Sequence, residues 1–289
     1  MVTSQGVKTN AKIFGFLSIL TGVFLGVGYL IGGTGGMIIG LFFAGLMNFG
    51  SYWFSDKIVL KMYGAEQLSE EQYSDLHRKV EELADKAGIP KPKLYRNSME
   101  VPNAFATGRN PEKGVVCVTQ GLLDQLEKDE VEGVIAHELA HIKNRDTLIN
   151  AVVATVAGAV ALIAELAFWS SLFTGEDEGE MISALAFMIV TPIIATIIRM
   201  AVSRTMEFRA DSEAVRIHGS KDGLSNALEK ISASNKGYKS RKHVSKVQET
   251  GSNLFIENPF SADSLTKYFS THPPLKERLE NIQSTEIEV

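Results

Sequence analysis

Forty-three consecutive residues, from Ile13 to Ser55, carry no charge. That run restricts the fold more than any other feature of the chain. A membrane-spanning helix needs about 20 apolar residues, because the hydrocarbon core is about 30 Å thick and a helix rises about 1.5 Å per residue. The run is therefore long enough for two spans. Gly32, Gly33, Thr34, Gly35 and Gly36 interrupt it with turn chemistry. The expectation is two retained helices, 12–31 and 36–55, forming a hairpin. A cleaved signal peptide has a shorter apolar core that ends at a small-residue cleavage site. Ser18, Gly22 and Gly26 recur every four residues, as do Gly36, Gly40 and Ala44. Such rows either let helices pack closely or merely make the lipid-facing surface glycine-rich.

A third apolar block runs from Leu148 to Phe173, broken only by Glu165, and a fourth from Met181 to Ile198, with Pro192 as a kink. Lys and Arg flank all four blocks on one side: Lys8 and Lys12, Lys57 and Lys61, Lys143 and Arg145, then Arg199, Arg204 and Arg209. The loops Gly32 to Gly36 and Gly175 to Glu180 contain neither. By the positive-inside rule, both termini and both polar regions are expected in the cytoplasm. Four parts follow: a hairpin (1–56), a polar part (57–146), a second hairpin (147–201) and a second polar part (202–289). A net charge of -5 gives no reason to expect a nucleic-acid partner. The single cysteine, Cys117, fits a reducing compartment.

In the first polar part, Ser69 to Lys86 reads as an amphipathic helix, with Ser69 as N-cap and Gly88 as stop. Residues 93–95, 103–106 and 114–119 read as short strands. A helix begins near Asp129 and runs past His141. In the second polar part, 202–218 and 223–233 look helical. Asn235 to Gly251 is a basic loop that is either solvated or in contact with anionic lipid heads.

His137-Glu138-Leu139-Ala140-His141 matches H-E-x-x-H. Residues four apart lie on one helix face, so both imidazoles reach one metal. Zinc lowers the pKa of a bound water to about 7, and the adjacent Glu138 is the base that takes its proton. The alternative is a buried helix whose histidines make ordinary hydrogen bonds. A catalytic site of this kind needs a third protein ligand and an open fourth position. Glu207 is the candidate, within Ser203-Arg204-Thr205-Met206-Glu207-Phe208-Arg209-Ala210-Asp211. Asp211, one turn on, is placed to accept a hydrogen bond from a ligand ring. A like-charge pair at this spacing is mildly unfavourable without a purpose.

These motifs, taken in order, resemble the HtpX-type membrane metallopeptidases. The resemblance includes the N-terminal apolar pair, Pro102-Asn103-Ala104-Phe105-Ala106-Thr107-Gly108 and the His137–His141 motif. It continues through two more apolar blocks, the Ser203–Asp211 stretch and Thr271-His272-Pro273-Pro274 before Glu277-Arg278-Leu279. It implies a mainly α fold: four transmembrane helices and a cytoplasmic zincin-like (gluzincin) domain with a small β-sheet. It implies one zinc ion per subunit, held by His137, His141 and Glu207. It also implies cleavage of damaged or misassembled membrane proteins at the cytoplasmic face of a prokaryotic inner membrane. Its partners would be polypeptides and the lipid bilayer, and the oligomeric state stays open. His272 matches a family histidine near the metal, placed to hydrogen-bond the developing oxyanion, or it is only a turn residue at a helix entry. Asn103 matches a residue beside the substrate groove, on a strand able to pair with an extended peptide, or it is an ordinary strand-end Asn.

Other residues receive plainer expectations. His77 is placed on the exposed side of its helix, His218 near a helix end and His243 in the basic loop. Arg145 and Asp146 are placed as a cap at the junction with the third apolar block. Glu165 either faces the bundle interior or reaches the interface. Three rivals stand beside the peptidase reading. An intramembrane protease would have an apolar motif helix, whereas Asp129, Glu130, Glu132, Lys143, Asn144 and Arg145 flank this one. A scaffold with structural zinc has no use for Glu138. A prenyl-protein processing enzyme of the same family is disfavoured by the chain's size.

Overall fold

Glycine geometry shapes the first part of the chain. The computed structural model describes residues 4–53, 55–150, 153, 204–239 and 273–287. The chain divides into two compact units, one comprising 1–54 and 148–201, the other 55–147 and 202–289. In the first unit a helical run, Ser4–Trp53, breaks only at Gly32 and Gly33. Gly33 has φ 57 and ψ -140, which a side chain would oppose. The turn is thus shorter than the five residues expected, because two glycines suffice to reverse the chain. A Cβ on Gly28 would lie 2.2 Å from the Gly36 carbonyl oxygen, and one on Gly40 would lie 2.2 Å from that of Phe24. Asn48 donates to Thr21 Oγ1 across the same seam at 3.1 Å. The two segments therefore run antiparallel at backbone contact.

Only one of the two small-residue rows makes that contact. Gly40 and Ala44 are buried, whereas Ser18, Gly22 and Gly26 are exposed. The stretch Gly32–Gly50 is long and apolar enough to cross a membrane, and Leu17–Tyr29 is a shorter apolar helix. Large apolar side chains face outward here, with Ile38 67% and Phe42 68% exposed. Most of the third and fourth apolar blocks, with Glu165, Pro192 and the acidic loop, lies outside the described residues, as does most of the basic loop with His243.

The second unit is built on a small mixed sheet. Its strands are β1 (Glu66–Gln67), β2 (Lys93–Asn97), β3 (Ala104–Thr107) and β4 (Val115–Thr119), in the order β1-β2-β4-β3. β2 and β4 run parallel, and the other two pairs are antiparallel. Every residue of β4 is buried, which explains why its sequence does not alternate. Cys117, at its centre, is fully buried and unpaired, and burial pushes its thiol up to about 12. The helix Lys128–Asn144 packs against β3 and β4, the helix Ser74–Ala87 and the helix Asp222–Lys239. Its start is a capping box, in which Glu127 N donates to Glu130 Oε2 at 2.8 Å.

Several local expectations change. The amphipathic helix starts at Ser74, not Ser69, because Ser69 holds a preceding turn, its carbonyl accepting from Tyr73 N at 3.1 Å. Gly88 ends it in the left-handed conformation, with φ 71. His77 faces inward: it is 7% exposed, and its Nε2 lies 3.1 Å from the Leu68 carbonyl oxygen. That backbone partner cannot be read from helical periodicity.

The two helices that cross beneath the site meet glycine to glycine. A Cβ on Gly133 would lie 2.5 Å from Leu224 N, and one on Gly223 would lie 2.7 Å from the Asp129 carbonyl oxygen. Gly133→Val is therefore expected to push the helices apart and cost about 3 kcal/mol, the upper range for overpacking. Thermal unfolding of the full-length protein checks this, and an unchanged midpoint would show that the crossing tolerates bulk.

Candidate metal centre

The helix Lys128–Asn144 carries His137 and His141 one turn apart, and a second helix, 204–218, carries Glu207 and Asp211 with the same spacing. The two pairs face each other. His137 Nε2 and His141 Nε2 are 3.1 Å apart. Glu207 Oε2 lies 3.6 Å from the first, and Oε1 lies 3.5 Å from the second. Metal–ligand distances of about 2.0–2.1 Å in a tetrahedral site give ligand–ligand edges of about 3.3 Å. The observed triangle has that size.

Each ring is held from behind. His141 Nδ1 lies 3.0 Å from Asp146 Oδ2, and His137 Nδ1 lies 3.0 Å from Asp211 Oδ1. The first is a hydrogen bond, whereas in the second the oxygen lies off the ring N–H direction. Both carboxylates favour the proton on Nδ1, which leaves the Nε2 lone pairs turned toward each other and toward Glu207. Three converging lone-pair donors repel unless a cation lies among them. The donor set therefore fits a divalent metal.

Charge balance agrees with the geometry. Glu138, Asp146, Glu207 and Asp211 are all buried. Arg209 pairs with Asp146. Arg278, 2% exposed, donates to Asp211 from Nε at 2.9 Å and from Nη2 at 2.6 Å. Four carboxylates against two guanidinium groups leave an excess of acidic groups around the two rings, which suits a bound cation. Burial alone would lower the pKa of His137, but Asp211 and Glu207 outweigh it and the net shift is upward. His141 is raised further, because Asp146 and Glu207 overcome the same burial. Burial likewise opposes the Asp211 carboxylate, yet Arg278 holds it below the usual range.

Glu138 sits beside His137, 4% exposed. Asn103 is 1% exposed, and Thr119 engages its backbone on both sides: Asn103 N donates to Thr119 Oγ1, and Thr119 N to the Asn103 carbonyl, each at 2.9 Å. His272 lies outside the described residues. Asp146 is more than a junction cap. Arg145 ends the helix at φ 58, turning the chain so that Asp146 lies behind His141. Sequence reasoning gave Arg209 and Arg278 no role here. His218 joins Asp129 and Glu132 in a second cluster, but Lys79 Nζ lies 3.3 Å from Glu132 and supplies a positive charge there.

Comparisons with known proteins agree on a family. The model of Peptidase family M48 matches residues 70–286. A "Protease HtpX homolog" of Persephonella marina is 47% identical over 271 residues, 92% of this chain and 93% of that protein. One from Pyrococcus furiosus is 47% identical over 277 residues, 94% of each. A "Protease HtpX" of Legionella pneumophila is 44% identical, covering 95% of this chain and 98% of its own. Among solved structures, S. mikatae Ste24p matches with a TM-score of 0.52 at 19% identity. That match covers 94% of this chain and only 62% of the longer Ste24p chain, and it concerns the fold. By class, then, the chain is a metallopeptidase. It belongs to peptidase family M48, among the HtpX-type proteases.

Proposed function

We propose that this chain is a membrane-bound zinc endopeptidase that cleaves damaged or misassembled membrane proteins at the cytoplasmic face. The observation that carries the reading is the triangle of His137 Nε2, His141 Nε2 and Glu207 carboxylate oxygens, with edges of 3.1, 3.5 and 3.6 Å. His137, His141 and Glu207 would hold the metal, with Asp211 fixing the orientation of the His137 ring. Zinc, when bound, supplies the positive charge that acidifies a water and polarises a carbonyl. Glu138 takes the proton from the attacking water and hands it to the leaving amine. His272 donates a hydrogen bond to the developing oxyanion. Asn103 is assigned to substrate binding at the start of β3, a strand at the sheet edge that would pair with an extended peptide.

Four spans with both termini cytoplasmic complete the reading, dividing the chain at 1–56, 57–146, 147–201 and 202–289. The outward apolar faces around Ile38 and Phe42 support a lipid environment. The deciding experiment is metal analysis of the purified full-length protein together with casein cleavage, with and without chelator. About one zinc per chain and cleavage lost to chelator, then restored by added zinc, is the expected result. Cleavage by metal-free protein would overturn it.

A further inference from the structure

The carboxylates of Glu207 and Asp211 stand one turn apart on the same helix, 4% and 0% exposed. Two buried like charges at that spacing repel strongly where little water screens them. Arg278 answers both. Its Nε and Nη2 grip Asp211 at 2.9 and 2.6 Å, and its Nη1 lies 3.5 Å from Glu207 Oε2. It comes from the C-terminal helix, Leu275–Ser284, a third chain segment distinct from the two that bear the donors. That helix is held to the helix 204–218 by more than the arginine. Asn281 Nδ2 donates to the Phe208 carbonyl oxygen at 2.8 Å, and Thr285 Oγ1 donates to Ser212 Oγ at 3.1 Å.

We propose that Arg278 is a positioning residue that sets the affinity of the metal centre. It clamps the third ligand and the carboxylate behind the first ligand into one rigid pair, so that docking of the C-terminal helix and metal retention depend on each other. The proposal rests on the metal-site reading above. A planar fork is essential to the clamp. Lysine offers a single charged point, and it cannot grip Asp211 with two parallel bonds while also facing Glu207.

The contacts define what each substitution does. Arg278→Lys keeps the charge and loses the fork. Arg278→Ala leaves two buried carboxylates without their counter-charge and threatens the fold. Arg278→Met combined with Asp211→Asn removes the opposing charges together, and so separates misfolding from loss of the clamp.

The test uses full-length protein in detergent and measures zinc affinity by competition with a chromophoric chelator. Unfolding midpoints check that each variant folds. Arg278→Lys is expected to bind zinc about 10–100-fold more weakly than the parent, the range for groups behind the ligands. Added guanidinium ion should partly restore zinc affinity in Arg278→Ala but not in the parent. If Arg278→Ala does not fold, the double variant is compared with Asp211→Asn alone: it should fold and bind zinc about 10-fold more weakly than that single variant, and equal affinity would overturn the proposal. A parent that holds no divalent metal overturns the metal-site reading and this proposal with it. A parent that holds zinc, beside a folded Arg278→Lys that holds it equally well, overturns this proposal alone.

Discussion

Glu138→Gln is expected to retain zinc and lose cleavage of an unfolded protein substrate by about 10³-fold, within the range for removing a general base. The substitution preserves the shape of a side chain that is only 4% exposed. It also leaves the three donor atoms on His137, His141 and Glu207 untouched. What goes is the capacity to accept a proton from water and return it to the departing amine. Metal analysis and cleavage assays on the same preparation check both halves. Equal cleavage by the variant and its parent would remove Glu138 from the reaction. Loss of zinc from the variant would show instead that the carboxylate holds the ion.

Glu207→Ala is expected to weaken zinc binding by more than about 100-fold, since loss of a mere outer partner already costs about 10–100-fold. The expectation follows from position. This carboxylate alone closes the triangle, with one oxygen 3.6 Å from His137 Nε2 and the other 3.5 Å from His141 Nε2. Its removal leaves two imidazoles on a single helix and frees Arg278 Nη1 from a negative neighbour 3.5 Å away. Equilibrium dialysis against graded chelator measures the loss. Undiminished zinc content would move the third donor to another residue.

Much of this centre was legible because its logic is local. The four-residue spacing of His137 and His141, and again of Glu207 and Asp211, puts each pair on one helix face whatever surrounds it. Glycine was equally readable where the backbone demanded it, as at Gly88 and near Gly33. The unread parts depend on contacts between distant segments. Nothing in helical periodicity says that His77 finds the Leu68 carbonyl. Nor does it say that Arg278, 67 positions from Asp211, ends beside it. The junction at Arg145 and Asp146 is readable, but the contact of Asp146 with His141 is not, because a left-handed turn at a non-glycine residue, Arg145, has no sequence signature. The same limit holds at short range, where Ser69 caps a turn over residues 70–73 and the helix proper begins only at Ser74.

The three segments that meet at the site lie far apart along the chain: 128–146, 204–218 and 275–284. Contacts of such long range form late, after the entropy of closing large loops has been overcome. While the polypeptide is still being synthesised, its histidines emerge more than a hundred residues ahead of Arg278. On the proposed roles, the histidine pair gains its full charged surroundings only after the helix Leu275–Ser284 has been synthesised, a delay built into the order of the residues themselves.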